Sequence, residues 1–173
     1  VLHRPELRVS RSLRKTLRTA QREARWRVTL DVGFDRVMRE CAAPRAGQDG
    51  TWITEDIRAG YGALHRLGFA HSVEVWNDER LVGGLYGVSI GRMFYGESMF
   101  AREPDASKAA LVALARMLEA HDFSVIDCQQ NTRHLASLGA REIPRAAFLE
   151  RVDELVRQPA PDWRTMRIAL PHA

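Results

Sequence analysis

Apolar positions recur along this chain at two spacings, and the switches between them delimit the elements. Ser10 or Ser12 can cap a short basic helix over about 12–23. The alternation in Arg25-Trp-Arg-Val-Thr-Leu30 predicts a first strand. Phe34, Val37, Met38 and Cys41 then share one face of a helix over 34–42, with Asp31 as its cap. The run 43–50 is a loop by composition. Thr54 reads as the N-cap of the next helix, with Glu55 and Asp56 in its first turn. Ile57, Tyr61 and Leu64 form that helix's stripe, and Gly68 is its left-handed stop.

Period-two patterning follows over about 70–76, 80–89 and 93–99. Asn77-Asp78-Glu79 makes the first turn of this meander and Gly91 the second. Asp105 or Ser107 opens a helix to about 121, with Leu111, Leu114 and Leu118 at helical spacing. Phe123–Asp127 reads as a buried strand, 131–138 as a helix ending at Gly139, and Pro144 as the start of a last helix carrying Phe148, Leu149, Val152 and Leu155. The tail from about 158 is irregular. The order predicts one α/β (α+β) domain over 1–173, with a mixed, mostly antiparallel sheet flanked by helices. It also suits a GNAT-like acyltransferase fold, in which a meander splays from a following strand to admit an acyl donor.

Composition narrows the function classes. No apolar run approaches the roughly 18–20 residues of a membrane span, and no apolar h-region follows the basic N-terminus as a signal peptide requires. Cys41 and Cys128 stand in unlike contexts and read as two reduced thiols of a cytoplasmic protein; without CxxC spacing no metal site is expected. The net charge is +4, and residues 1–27 hold nine basic side chains against Glu6 and Glu23. Such a concentration is either an electrostatic footprint for a polyanion or a solvated helix face.

The candidate chemistry gathers on the meander and the strand after it. Asp127 and Gln129 are two apart, so on a strand they share a face and can address one cleft. A carboxylate there can hold a substrate ammonium or accept its proton; it can equally cap the next helix. Glu97 stands among Phe94, Tyr95, Met99 and Phe100, where an acid is costly to bury unless paired. It can bind a cation or sit on an exposed hairpin face. Glu74 is a weaker candidate, with Ser72 and Trp76 on a face read as outward. Trp52, at a loop-to-helix junction, can stack on a nucleobase or staple its own helix. Gly83, Gly84 and Gly87 interrupt a strand and mark a bulge or a close approach. The histidines read as structural, with His134 placed to touch a site; Ser98 has no neighbouring His to support a hydrolase triad.

Seven ordered pieces of sequence resemble the leucyl/phenylalanyl-tRNA–protein transferase family. They are Gly50-Thr-Trp-Ile53, His71-Ser-Val-Glu-Val-Trp76, Leu81-Val-Gly-Gly-Leu-Tyr-Gly-Val88, Gly96-Glu-Ser-Met-Phe100, Ala106-Ser-Lys108, Ile126-Asp-Cys-Gln129 and Ser137-Leu-Gly-Ala140. The resemblance implies a GNAT-like enzyme without acetyl-CoA or other cofactor. It would move Leu or Phe from Leu-tRNA or Phe-tRNA to proteins or peptides with an N-terminal Arg or Lys, marking them for N-end-rule degradation. By motif position, Asp127 would hold the acceptor's α-amine with Gln129 beside it, and Glu97 would help bind the basic acceptor. Leu85, Phe94, Met99, Leu114, Leu118 and Ile126 would line the amino-acid pocket. Trp52 would stack near the terminal adenine, and Arg11, Arg14, Lys15 and Arg18 would meet tRNA phosphates. A monomer is expected. The resemblance also implies that members usually carry a preceding N-terminal domain, so this sequence is expected to be either a truncated or a shortened member. Three competing readings are a GNAT N-acetyltransferase, a non-catalytic RNA-binding domain and a bare structural fragment left by truncation. The first is disfavoured because Arg80-Leu-Val-Gly-Gly-Leu85 is only a near miss of a CoA loop and lies inside a strand.

Overall fold

The computed structural model describes residues 1–3, 6–44 and 50–171. Arg4 of the basic run, residues 45–49 of the loop expected over 43–50, and the last two residues of the tail lie outside them. The elements run β1 (Leu2–His3), α1 (Arg11–Arg22), β2 (Arg27–Leu30), α2 (Phe34–Ala42), α3 (Glu55–Arg66), β3 (Ala70–Asn77), β4 (Arg80–Ile90), β5 (Met93–Ala101), α4 (Ala106–Glu119), β6 (Val125–Asp127), α5 (Arg133–Ser137) and α6 (Arg145–Val156). A 3-10 turn over Trp163–Thr165 punctuates the tail.

The strands form one sheet in the order β1-β6-β5-β4-β3-β2. All neighbours are antiparallel except β5 and β6, the strands joined through α4. This is the mixed, mostly antiparallel sheet flanked by helices that the patterning predicts. Strand β1 is a two-residue element that escapes a reading based on periodicity; it pairs Leu2 with Ile126 and His3 with Val125.

Helices cover both faces. On one, α1 and α4 pack with Val73, Val75, Leu85 and Phe94. Ser10 caps α1 by accepting from the Leu13 N–H, and the helix buries Leu13, Leu17 and Ala20. Full burial of each of these leucines contributes roughly 1.5–3 kcal/mol. Their spacing leaves Arg11, Arg14, Lys15 and Arg18 exposed on the opposite side. On the other face, α2 and α3 pack over Trp76, Tyr86 and Phe100.

Two local expectations are corrected here. Asp31 does not cap α2, whose N-cap is Gly33. Asp31 instead adopts a φ of 59° and accepts from the Ser72 N–H and from His71, each at 2.8 Å. The face carrying Ser72, Glu74 and Trp76 is not outward, because α2 lies across it; Ser72 and Glu74 are fully buried. Glu74 is satisfied there by the hydroxyls of Thr29 and Ser72 and by the Gly33 N–H, while burial pushes its carboxyl pKa up.

The tail is irregular, as expected, but anchored. Trp163 is buried, stacks on His71 at 3.8 Å between ring centres and lies 5.8 Å from Phe94.

Candidate functional site

Strand β6 is short, and its brevity makes the cleft. It pairs with β5 at two positions, Phe94 with Ile126 and Tyr95 with Asp127. Beyond Tyr95 the two strands part, and the remaining edge of β5, from Gly96 to Ala101, lines a cleft of about 1250 Å³. The cleft reaches both faces of the sheet. Leu85, Phe94, Met99, Leu111, Leu114 and Ile126 wall an apolar chamber on the α4 side. Glu40, Cys41, Thr51 and Trp52 line it on the α2 side.

A β-bulge places the acid. Gly87 pairs with Gly96 and Tyr86 with Ser98, so Glu97 is the extra residue on β5. A bulge re-aims the side chain it carries, and Glu97 lines the cleft in a half-buried position. Gly87 is required opposite it, since a Cβ there would run into the Tyr95 carbonyl oxygen and lie 2.6 Å from Phe94 Cε1. Gly83 makes a further close approach: Ala106, at the start of α4, packs directly on it.

Glu97 accepts a hydrogen bond from Gln129 Nε2 at 3.0 Å. A carboxylate can only accept, so the Gln129 amide must turn its nitrogen to Glu97 and leave its oxygen to face elsewhere. The Gln129 backbone is left-handed, with a φ of 58°, and Asp127 Oδ1 accepts from its N–H at 2.8 Å. The i, i+2 argument for a shared face therefore fails, because the strand ends at Asp127. Ile126, Cys128 and Gln129 line the cleft, whereas Asp127 stands behind them and fixes the turn that presents Gln129. The three predicted polar residues nevertheless form one chain, Asp127 to Gln129 to Glu97.

Tyr61 extends that chain and was read only as part of a helix stripe. Burial and the neighbouring Glu97 push its phenol up to about 12, so it stays neutral and donates to Glu97. No periodicity signals this, because α3 meets β5 only through the tertiary fold. Cys128 also lines the cleft, and burial pushes its thiol up to about 11. His134 touches the cleft as expected, and burial, followed by the Lys108 charge, pushes its imidazole pKa down.

Of the residues expected to form the apolar pocket, Leu85, Phe94, Met99, Leu114 and Ile126 line the chamber. Leu118 does not. It lies one turn further along α4, in a separate small cavity with Leu2, Leu7 and Phe123. Leu111, one turn earlier than Leu114, lines the chamber with it. Trp52 lines the cleft with 53% of its surface exposed, so it is not stapled down on its own helix. In the same cleft, Arg102 Nε donates to Glu40 Oε2 of α2 at 2.7 Å. The four cations of α1 lie outside the cleft. Thr16 of the same helix donates to Asp105, which also pairs with Lys108 at the start of α4. Among the described residues no group of His, Cys, Asp and Glu side chains could hold a metal ion, and no helix is long and apolar enough to cross a membrane.

Comparison with known proteins identifies the family of the chain. Residues 1–153 match the family described as leucyl/phenylalanyl-tRNA protein transferase. A protein of that name from Cupriavidus taiwanensis is 60% identical over 166 residues, covering 95% of this chain and 66% of the relative. One from Thiobacillus denitrificans is 61% identical over 159 residues, covering 92% and 68%. One from Paraburkholderia phytofirmans is 55% identical over 171 residues, covering 98% and 70%. The chain thus spans about two-thirds of the length of these relatives, and just under that for the Cupriavidus protein. Among solved structures, Mycobacterium smegmatis RimJ in complex with CoA-disulfide aligns at a TM-score of 0.38 and 18% identity, covering 68% of this chain and 71% of that one. On the extent and identity of the sequence matches, the chain belongs to the leucyl/phenylalanyl-tRNA–protein transferase family.

Proposed function

We propose that this chain transfers leucine or phenylalanine from aminoacyl-tRNA to the α-amine of proteins that begin with Arg or Lys. The observation that carries the reading is the Asp127–Gln129–Glu97 chain, set where β5 and β6 separate and directly over an apolar chamber. Leu85, Phe94, Met99, Leu114 and Ile126 would receive the donor's side chain. An apolar wall separates such side chains by only about 1–3 kcal/mol per methylene, which suits acceptance of both amino acids.

The incoming amine attacks the ester carbonyl carbon. A C–N bond forms, the bond to the ribose oxygen breaks, and that oxygen leaves with the proton the amine gives up. The Gln129 amide oxygen is placed to accept from the amine, and Glu97 supplies negative charge for the acceptor's basic end. Most of the acceleration would come from holding amine and ester together. The Cys128 thiol, protonated at neutral pH, offers no thiolate for a covalent intermediate. Trp52 would stack on the terminal base. Arg11, Arg14, Lys15 and Arg18 would meet backbone phosphates, making binding salt-dependent. The reaction so written uses no cofactor, and its substrates suit a cytoplasmic role in N-end-rule degradation, with the chain acting as a monomer.

The test is transfer of radiolabelled leucine or phenylalanine from charged tRNA to peptides starting with Arg, Lys or Gly. Incorporation confined to the basic starts is the expected result. Tight tRNA binding with no incorporation into any peptide would replace transfer by RNA binding alone.

A further inference from the structure

Among the described residues, the lining of the cleft has acids to spare but one permanent cation. Of the described residues that line it, Arg102 alone carries a fixed positive charge, against Glu40 and Glu97. It follows directly on the β5 edge, its contact with Glu40 sets it against α2, and Trp52 lines the same cleft. Its side chain is 54% exposed, and Glu40 takes its Nε. Among the described residues, its two Nη groups have no hydrogen-bonded partner. A cation at this position opposes entry of a basic acceptor, so its placement serves an anion. A guanidinium presents five donors in a fork that matches phosphate oxygens, and one carboxylate contact leaves most of that fork open.

We propose that Arg102 binds a phosphodiester of the donor's 3′ end, and that Glu40 holds the guanidinium in place while no donor is bound. This rests on the transferase reading above. A base stacked on the exposed Trp52 brings its own 5′-phosphate into the same cleft, where Arg102 is the fixed cation among the described lining residues. Glu40, on the last turn of α2, then competes with the phosphate for Arg102. That competition separates the proposal from a purely structural ion pair tying α2 to β5. A structural pair loses the same thing whichever partner is removed. A competing pair gives opposite signs: losing Arg102 weakens the donor, and losing Glu40 strengthens it.

The experiment compares two donors on the intact chain: an RNA minihelix ending in CCA and charged with phenylalanine, and phenylalanyl-adenosine, which lacks the phosphodiester. Arg102→Gln is expected to raise KM for the minihelix about tenfold or more, as loss of a charged hydrogen bond does. KM for phenylalanyl-adenosine should stay unchanged. The slope of log affinity against log salt for the minihelix should fall by about 0.7–0.9. Arg102→Lys should recover part of the loss, and Glu40→Gln should lower KM for the minihelix. Equal losses with both donors, an unchanged salt slope, or a loss in Glu40→Gln matching that in Arg102→Gln would overturn the proposal. Thermal unfolding of each variant identifies one that has lost its fold, and Arg102→Lys then carries the comparison. If the unaltered chain uses neither donor, the transferase reading itself fails, and that outcome is distinct from a selective loss in the variant.

Discussion

Asp127 acts through Gln129 if the geometry is taken at its word, and two substitutions at one position separate this from direct chemistry. Asp127 Oδ1 accepts from the Gln129 N–H at 2.8 Å and so holds a left-handed residue that is not glycine. Asp127→Asn keeps an acceptor oxygen at the same place. Asp127→Ala removes it, and with it a hydrogen bond to a charged acceptor, worth about 1.5–3 kcal/mol. It also leaves the left-handed conformation, which costs roughly 1–2 kcal/mol, without its local compensation. Because that conformational cost is present in the unaltered chain as well, the lost positioning is that of the bond, about 1.5–3 kcal/mol, or roughly 10–150-fold in kcat/KM if the whole cost appears as misplaced Gln129. Asp127→Asn should lose no more than about tenfold, since it gives up only the charge-assisted part of the bond. The assay is the initial rate of phenylalanine transfer to an Arg-starting peptide at several peptide concentrations, with thermal unfolding as the control for fold. If Asp127→Asn is as inactive as Asp127→Ala, the carboxylate acts on the amine or its proton directly. If Asp127→Ala keeps its activity, the turn does not depend on this bond at all.

Other expectations follow from single contacts. Leu114→Ala enlarges the apolar chamber and should raise the preference for phenylalanine over leucine by about tenfold; an unchanged ratio in competition assays would remove Leu114 from the selecting wall. Gly87→Ala would set a Cβ 2.6 Å from the Phe94 ring, and the overpacking should cost about 1–3 kcal/mol in urea unfolding; an unchanged midpoint would show that the bulge yields freely. Burial alone would raise the Glu103 carboxyl, but bonds from Asn77, Trp26 and Arg25 hold it down to about 2. Its folded pKa thus lies below the unfolded value of 4.5, so its contribution is present above pH 4.5 and is lost as pH falls towards 2. The unaltered chain should lose stability across that window more steeply than Glu103→Gln, and parallel unfolding midpoints would contradict this.

Much of the fold was legible because its signals are local. The capping hydroxyls of Ser10 and Thr54, the left-handed stop at Gly68 and the alternation along β3 to β5 each act within a few residues. What failed depended on distant partners. Whether Ser72, Glu74 and Trp76 face water is decided by α2 crossing the sheet, and β1 exists only because β6 offers two residues an edge. The same division runs through the site. Residue types named Glu97, Gln129 and Trp52, but the bulge that aims Glu97 is a register shift between strands, visible only once they pair. Leu118 shares the helical spacing of Leu111 and Leu114, and periodicity alone could not tell which turns of α4 face the chamber.

The anchored tail extends the reach of the pocket. Trp163 does not itself line the cleft, yet its ring lies 5.8 Å from that of Phe94, which does, and it lies beyond the span matched to the family. Side chains in a close-packed interior transmit volume changes to their neighbours. If the chamber selects the donor's side chain as proposed, a changed tail would shift the preferred amino acid while every cleft residue stays the same, and a donor preference could be altered from the C-terminal end without a change at the reacting centre.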